Sequence, residues 1–155
     1  LAPRQHARKM RVGKVTYAEA YRAVSEYRLR YPEKAVTYYA QNYPAMAWAV
    51  AMAGGSCPQI KGVSEELLQA FARTVPMERK AGDVYEMVKS DTDIIIYSHS
   101  KSKFTIPVAA GKYMLKQVNV ESGEECIIDN RLRISGQYEI PAASQEECVY
   151  WLHRL

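Results

Sequence analysis

Apolar positions change their spacing partway along the chain. From Thr16 the residues Tyr17, Ala20, Tyr21, Val24, Tyr27 and Tyr31 recur at helical intervals and form one stripe. Thr16-Tyr17-Ala18-Glu19 has the form of a capping box, in which hydroxyl and carboxylate each satisfy a free backbone N–H of the other residue. Pro32 stops this helix near Arg30, because the residue before a proline disfavours helical dihedrals. The run Lys34-Ala-Val-Thr-Tyr-Tyr39 then reads as a short strand over Ala35–Tyr39. Gln41-Asn42-Tyr43-Pro44 opens a second helix, with Asn42 or Tyr43 as cap and proline in the first turn. That helix, Ala45–Ala53, is apolar on every side and so predicts burial on nearly all sides. Gly54-Gly55 closes it. A third helix takes Ser64 as cap, carries Glu65 and Glu66 at its positive end, and turns Leu67, Leu68, Phe71 and Val75 inward before Pro76.

After Lys80 the period becomes that of strands. Asp83–Lys89, Asp93–Ser98, Lys103–Pro107, Lys112–Val120, Glu125–Ile128, Arg131–Ile134, Tyr138–Ile140 and Glu147–His153 read as short strands. Ser-Asp, Ala-Ala-Gly, Glu-Ser-Gly, Asp-Asn and Ser-Gly separate them as turns. Ile94/Ile96, Phe104/Ile106 and Val149/Trp151 show the two-residue spacing of an inward face. Helices followed by many short strands predict two units, residues 1–80 and residues 81–155, the second an antiparallel β-sandwich.

Charge adds little. Residues 1–34 hold nine Lys or Arg against three Glu, and the remainder twelve against fourteen. The excess sits in Arg4, Arg8, Lys9, Arg11 and Lys14, a run that reads as a solvated connector, with no nucleic-acid-binding motif beside it. The apolar run Ala45–Ala53 is too short to span a bilayer. No signal peptide is read at the first residues, and the start at Leu1 fits a processed or truncated product. Cys57, Cys126 and Cys148 form neither a disulfide framework nor a metal pair, and each is expected as a small buried hydrophobe. His6, His99 and His153 are scattered, so no metal and no cofactor is expected.

Two stretches taken together resemble a known family. Ala45-Met-Ala-Trp-Ala-Val-Ala-Met-Ala-Gly-Gly-Ser56 resembles the last barrel helix of bacterial (β/α)₈ glycoside hydrolases of the apiosidase-like kind. Asp93-Ile-Ile-Ile-Tyr-Ser98, Gly111-Lys-Tyr-Met, Asn119-Val-Glu-Ser-Gly-Glu124 and Val149-Tyr-Trp-Leu152 resemble the small β domain that closes such chains. The resemblance covers most of residues 35–152. It departs at Asn119-Val120, where Asp-Pro is usual, and at Ser56-Cys57-Pro58-Gln59, where a Gly-His-x-Tyr-Gly loop often follows the helix. It implies an α+β fragment, the terminal βα elements of a barrel followed by a β-sandwich, in a secreted or periplasmic enzyme acting on a polysaccharide or oligosaccharide.

If Ala35–Tyr39 is the last barrel strand, Tyr38, Tyr39, Gln41, Asn42 and Tyr43 lie at the rim where such barrels keep their active sites. Aromatic faces beside amides suit sugars, which offer C–H faces and hydroxyls. Tyr39, Gln41, Asn42 and Tyr43 are therefore the candidate substrate-binding residues. No catalytic residue is assigned. Hydrolysis of a glycosidic bond needs two carboxyl groups facing across it, whereas Glu65-Glu66, Glu124-Glu125 and Glu146-Glu147 are sequence neighbours in a helix start, a turn and a strand entrance. Glu33 precedes the strand, at the wrong end. The catalytic carboxylates are expected upstream of Leu1, making the upstream part of the same domain a partner. Gly54-Gly55-Ser56 reads as a helix end. Ser98-His99-Ser100 is not read as catalytic, because no oriented acid accompanies it and Lys101-Ser102-Lys103 marks a solvated hairpin tip. The competing reading is a free-standing carbohydrate- or protein-binding β module. It is weakened because Tyr97, Tyr113, Tyr138, Tyr150 and Trp151 all fall within strand patterns and form no exposed aromatic row.

Overall fold

The computed structural model describes residues 15–40, 42–77, 84–89, 92–143 and 146–155. The basic run of residues 4–14 lies outside them. The described residues form three helices, α1 (Tyr17–Arg30), α2 (Pro44–Met52) and α3 (Glu65–Arg73), then six strands. The strands are β1 (Val75–Pro76), β2 (Val84–Lys89), β3 (Asp93–Ser98), β4 (Phe104–Val118), β5 (Glu125–Ile140) and β6 (Cys148–Arg154). All pair antiparallel in one sheet of order β1-β2-β3-β6-β4-β5. The chain is an α+β fold.

The helices start and stop as their sequences dictate. Thr16 N–H donates to Glu19 Oε2 at 2.8 Å and Glu19 N–H to Thr16 Oγ1 at 3.3 Å, so the capping box is formed. In α2 the N-cap is Tyr43 and Pro44 holds the first turn, with no side chain capping. Past its end, Gly54 N–H donates to the Ala51 carbonyl and Gly55 N–H to that of Val50, a Schellman motif with Gly54 at φ +73°. Ala47 to Ala53 are all buried, as the all-round apolar sequence requires. Ser64 caps α3 by accepting from Leu67 N–H, and its hydroxyl also donates to the Glu125 carboxylate. Glu125 in turn pairs with Lys116 at 2.8 Å, so the start of α3 is tied to β4 and β5.

Three expectations are corrected. The segment Ala35–Tyr39 forms no strand. Its polar groups are taken up locally, the Ser56 N–H donating to the Val36 carbonyl at 2.7 Å and the Val36 N–H to the Ser56 hydroxyl. No neighbouring strand is there to pair with it among the described residues. Second, Lys103–Pro107 and Lys112–Val120 belong to one long strand, and Glu125–Ile128, Arg131–Ile134 and Tyr138–Ile140 to another. The Ala-Ala-Gly, Asp-Asn and Ser-Gly punctuation marks bulges, at the register shifts between Val108 and Gly111 and between Tyr113 and Lys116. At the first bulge the freed carbonyls are satisfied by side chains: Tyr113 Oη donates to Ala109 O and Arg154 Nη2 to Ala110 O.

Third, the two packed layers come from one hydrogen-bonded sheet. Beyond the first bulge β4 pairs with both β5 and β6, whereas Phe104–Val108 pairs with β5 alone and overhangs. Ile106, Val108 and Ile140 of this overhang pack on Ile94, Ile96, Tyr150 and Leu152. The opposite face of β3 and β6, carrying Ile95, Tyr97, Val149 and Trp151, packs on Tyr17, Trp48, Met52, Leu67 and Phe71 of the helices. Val149/Trp151 therefore face a different core from Ile94/Ile96. Strands covered on both faces need continuous apolar runs, which is why Ile94-Ile-Ile-Tyr97 and Val149-Tyr-Trp-Leu152 lack alternation. Of the cysteines, only Cys148 is buried; Cys57 and Cys126 are exposed, against expectation. No helix among the described residues is long and apolar enough to cross a membrane.

Candidate functional site

The segment between α1 and α2 carries the residues expected at a sugar rim. Tyr39 and Tyr43 are 73% and 67% exposed, unusual for tyrosines so close to a fully buried helix. Asn42 is exposed, and its amide makes no hydrogen bond among the described residues because Tyr43 has the cap position. Gln41 lies outside the described residues. Tyr38 differs from its neighbours, being half-buried against both helical cores. Ala40 N–H donates to Gln59 Oε1 at 3.1 Å, which pins the segment to the loop after α2. Two exposed aromatic residues and the Asn42 amide are thus presented on a short segment anchored at Val36, Ala40 and Pro44. That arrangement suits stacking on a sugar face and hydrogen bonding to its hydroxyls.

The polar clusters elsewhere divide into structural and open ones. Asp93 has no solvent exposure at its side chain and accepts from Trp151 Nε1 at 2.9 Å and His153 Nδ1 at 2.9 Å. Arg73 Nη2 adds an ion pair at 3.2 Å. Burial alone would raise the Asp93 carboxyl, but the hydrogen bonds from His153 and Trp151 and the charge of His153 outweigh it and hold the pKa below the ordinary value. This cluster ties α3 to β3 and β6. A depressed folded pKa adds stability above the unfolded value and loses it as pH falls through the folded one. Asp93→Asn should therefore lower stability near pH 7 by roughly 1–3 kcal/mol, and the loss should shrink towards about pH 3. Urea unfolding of both proteins across that range checks it; a pH-independent difference would contradict it.

Lys101-Ser102-Lys103 is exposed, as expected of the hairpin tip, whereas Ser98 is buried and its hydroxyl accepts from the Ser100 N–H at 3.0 Å. His99 stands against Tyr17 and Tyr97, with ring centroids 4.8 and 5.1 Å away, and its Nδ1 lies 3.2 Å from Glu147 Oε1. Reading Glu146-Glu147 as a strand entrance missed this pairing. A His and a Glu at the two ends of paired strands was the available signal, because Ser98 and Cys148 are register partners. Glu65 and Glu66 do sit in the first turn of α3, as expected. No group of three or more His, Cys, Asp or Glu is placed for a metal among the described residues.

Comparison with known proteins bears mainly on the fold. A family model described as a domain of unknown function (DUF6298) matches residues 1–75. No curated protein matches the sequence. A solved structure described as a glycoside hydrolase superposes with a TM-score of 0.60 at 12% identity, over 94% of this chain and 49% of its own. A glycoside hydrolase family 5 protein from Bacteroides vulgatus ATCC 8482 gives a TM-score of 0.45 at 12% identity, over 79% of this chain and 37% of its own. The chain thus has the fold of about half of a glycoside hydrolase, and spans about half the length of that structure.

Proposed function

We propose that this chain is the C-terminal portion of a glycoside hydrolase acting on a polysaccharide or oligosaccharide. In this reading the helices complete a (β/α)₈ catalytic domain of the apiosidase-like kind whose catalytic carboxylates lie upstream, and the sheet packs against it. The observation that carries the reading is apolar surface left exposed on two flanks of α1. On one, Tyr27 and Tyr31 border a groove of about 550 Å3 floored by Val24, Val36 and Tyr38; on the other, Leu29, 84% exposed, lines a groove of about 650 Å3 with Val75, Met77, Ala53 and Pro76. An apolar surface of this extent on a folded unit calls for a covering partner. In this reading the covering partner is the upstream part of the same catalytic domain, consistent with the chain spanning 49% of the glycoside hydrolase it superposes on. A free-standing glycan-binding sheet finds less support, since Tyr97, Tyr113, Tyr150 and Trp151 are buried. A polymeric substrate would place the enzyme in the periplasm or outside the cell.

Tyr39, Gln41, Asn42 and Tyr43 then border the substrate. In the intact polypeptide, Asn42→Ala and Tyr43→Ala should each lower kcat/KM on the cleaved glycan by about tenfold or more, equivalent to about 1.4 kcal/mol, with the melting temperature unchanged. Steady-state kinetics beside thermal unfolding decide it. Unaltered kinetics in both variants would remove this segment from the site.

A further inference from the structure

Beside the segment that carries Tyr39, Asn42 and Tyr43 runs a second one, the loop from Ser56 to Gln59 that follows α2. The two are stitched together at both ends. Ser56 exchanges two hydrogen bonds with Val36, and Gln59 Oε1 accepts from the Ala40 N–H at 3.1 Å. Ala40 is buried, so its N–H needs a protein partner, and Gln59 supplies it. The Ala40 carbonyl in turn accepts from the Tyr43 N–H at 3.0 Å, closing the turn that holds Asn42. Gln59 thus braces the turn on which the candidate rim is built. The same bond fixes which way the Gln59 amide faces. A backbone N–H can only donate, so the oxygen is the end turned to Ala40 and the NH2 end is turned away from it. Gln59 is exposed, and its two N–H donors have no partner among the described residues. Cys57, two residues earlier, adopts φ +51°, a left-handed conformation uncommon outside glycine, so the turn that brings Gln59 to Ala40 is held against local preference.

We propose that Gln59 is a further substrate-binding residue, donating from Nε2 to an oxygen of the sugar bound at Tyr39 and Tyr43. The inference rests on the carbohydrate reading above. Aromatic faces read only the C–H surface of a sugar, so rings alone would bind it without fixing its orientation. A donor held at one angle supplies that orientation, because every sugar hydroxyl has lone pairs to accept it. The entropic cost is small, since the bond to Ala40 has already ordered the amide before the sugar arrives.

The test offers the intact polypeptide soluble xylan, mannan, β-glucan and polygalacturonate, and measures kinetics on whichever it cleaves. Gln59→Glu, ionised at neutral pH, keeps an acceptor for Ala40 and removes the donors; Gln59→Ala removes both. Gln59→Glu should raise KM about tenfold, with kcat within about twofold and the melting temperature unchanged. The rise should persist in about 1 M salt, where charge repulsion is screened and a missing hydrogen bond is not restored. Gln59→Ala should show at least the same rise together with a lower melting temperature, because the Ala40 N–H is left unpaired. A wild-type KM for Gln59→Glu would overturn the proposal and leave Gln59 as a brace alone, and a rise that disappears in salt would overturn it too. Asn42→Ala serves as the reference. If it impairs cleavage and Gln59→Glu does not, this inference falls and the hydrolase reading stands. If none of these glycans is cleaved, both fall together.

Discussion

Replacing Trp48 with alanine should cost about 3–5 kcal/mol of stability, the range for emptying a fully buried large aromatic site. Trp48 has no solvent exposure, and it packs with Phe71 at 5.9 Å and Tyr97 at 6.5 Å between ring centroids. Its environment includes α3 and β3 as well as its own helix, so the cavity left behind opens onto elements that the sheet holds rigid. Trp48 also has a second role, because its indole N–H donates at 3.0 Å to the carbonyl of Val120 in the β4–β5 turn. Trp48→Phe separates the two contributions. It keeps most of the apolar volume but leaves a buried carbonyl unpaired, a penalty of roughly 1–3 kcal/mol. Chemical denaturation of wild type, Trp48→Phe and Trp48→Ala should therefore give three ordered stabilities. If both variants lay within half a kilocalorie of the wild type, α2 would not be the buried centre of the molecule.

The burial of Trp48 was legible in the sequence, whereas its bond to Val120 was not. Ala45–Ala53 has no polar position at any angle around the helix, so burial follows from local pattern alone. The partner is 72 residues away and is a backbone oxygen, for which no side-chain signal exists. The same division explains the sheet. The pattern of short apolar, β-prone runs bounded by turn residues located Asp93–Ser98 with its observed bounds and the last strand to within a residue. It failed where bulges imitate turns: Ala109-Ala110-Gly111 and Ser135-Gly136 carry turn composition, yet they bend a continuous ladder. It also placed Val149/Trp151 and Ile94/Ile96 in one core, because unbroken apolar runs do not say which face meets which layer. At the candidate site, Tyr39 and Tyr43 were picked as aromatics beside an amide, and both are exposed. The strand that was to carry them is missing, since a strand exists only with a neighbour to pair with. The pairing of Glu147 with His99 escaped notice because 48 positions separate them and neither belongs to a spaced motif.

Gly123→Ala should be among the most damaging single-methyl additions in the chain. Gly123 has φ +74°, a conformation that costs an alanine about 1–2 kcal/mol. The larger obstacle is steric. A Cβ there would lie 2.1 Å from the Lys61 carbonyl oxygen and 2.6 Å from Val63 N, and both are backbone atoms that no rotamer change can move aside. Gly62 meets the same constraint from the other side, with φ +72° and a Cβ position 1.9 Å from the Ser122 carbonyl oxygen. The loop before α3 and the β4–β5 turn are thus in direct backbone contact through two facing glycines. Asn119 holds the turn side by accepting from the N–H groups of Glu121 and Ser122 at 2.9 Å. Overpacking such a contact adds roughly 1–3 kcal/mol, so each alanine variant should lose about 2–5 kcal/mol in all. Because either methyl pushes the same two segments apart, the second should cost less than the first, and the double variant should be more stable than additivity predicts. Urea unfolding of the two single variants and the double variant measures that coupling. Strict additivity would mean that the two glycines act through separate contacts, and losses under half a kilocalorie would mean that the loops do not touch.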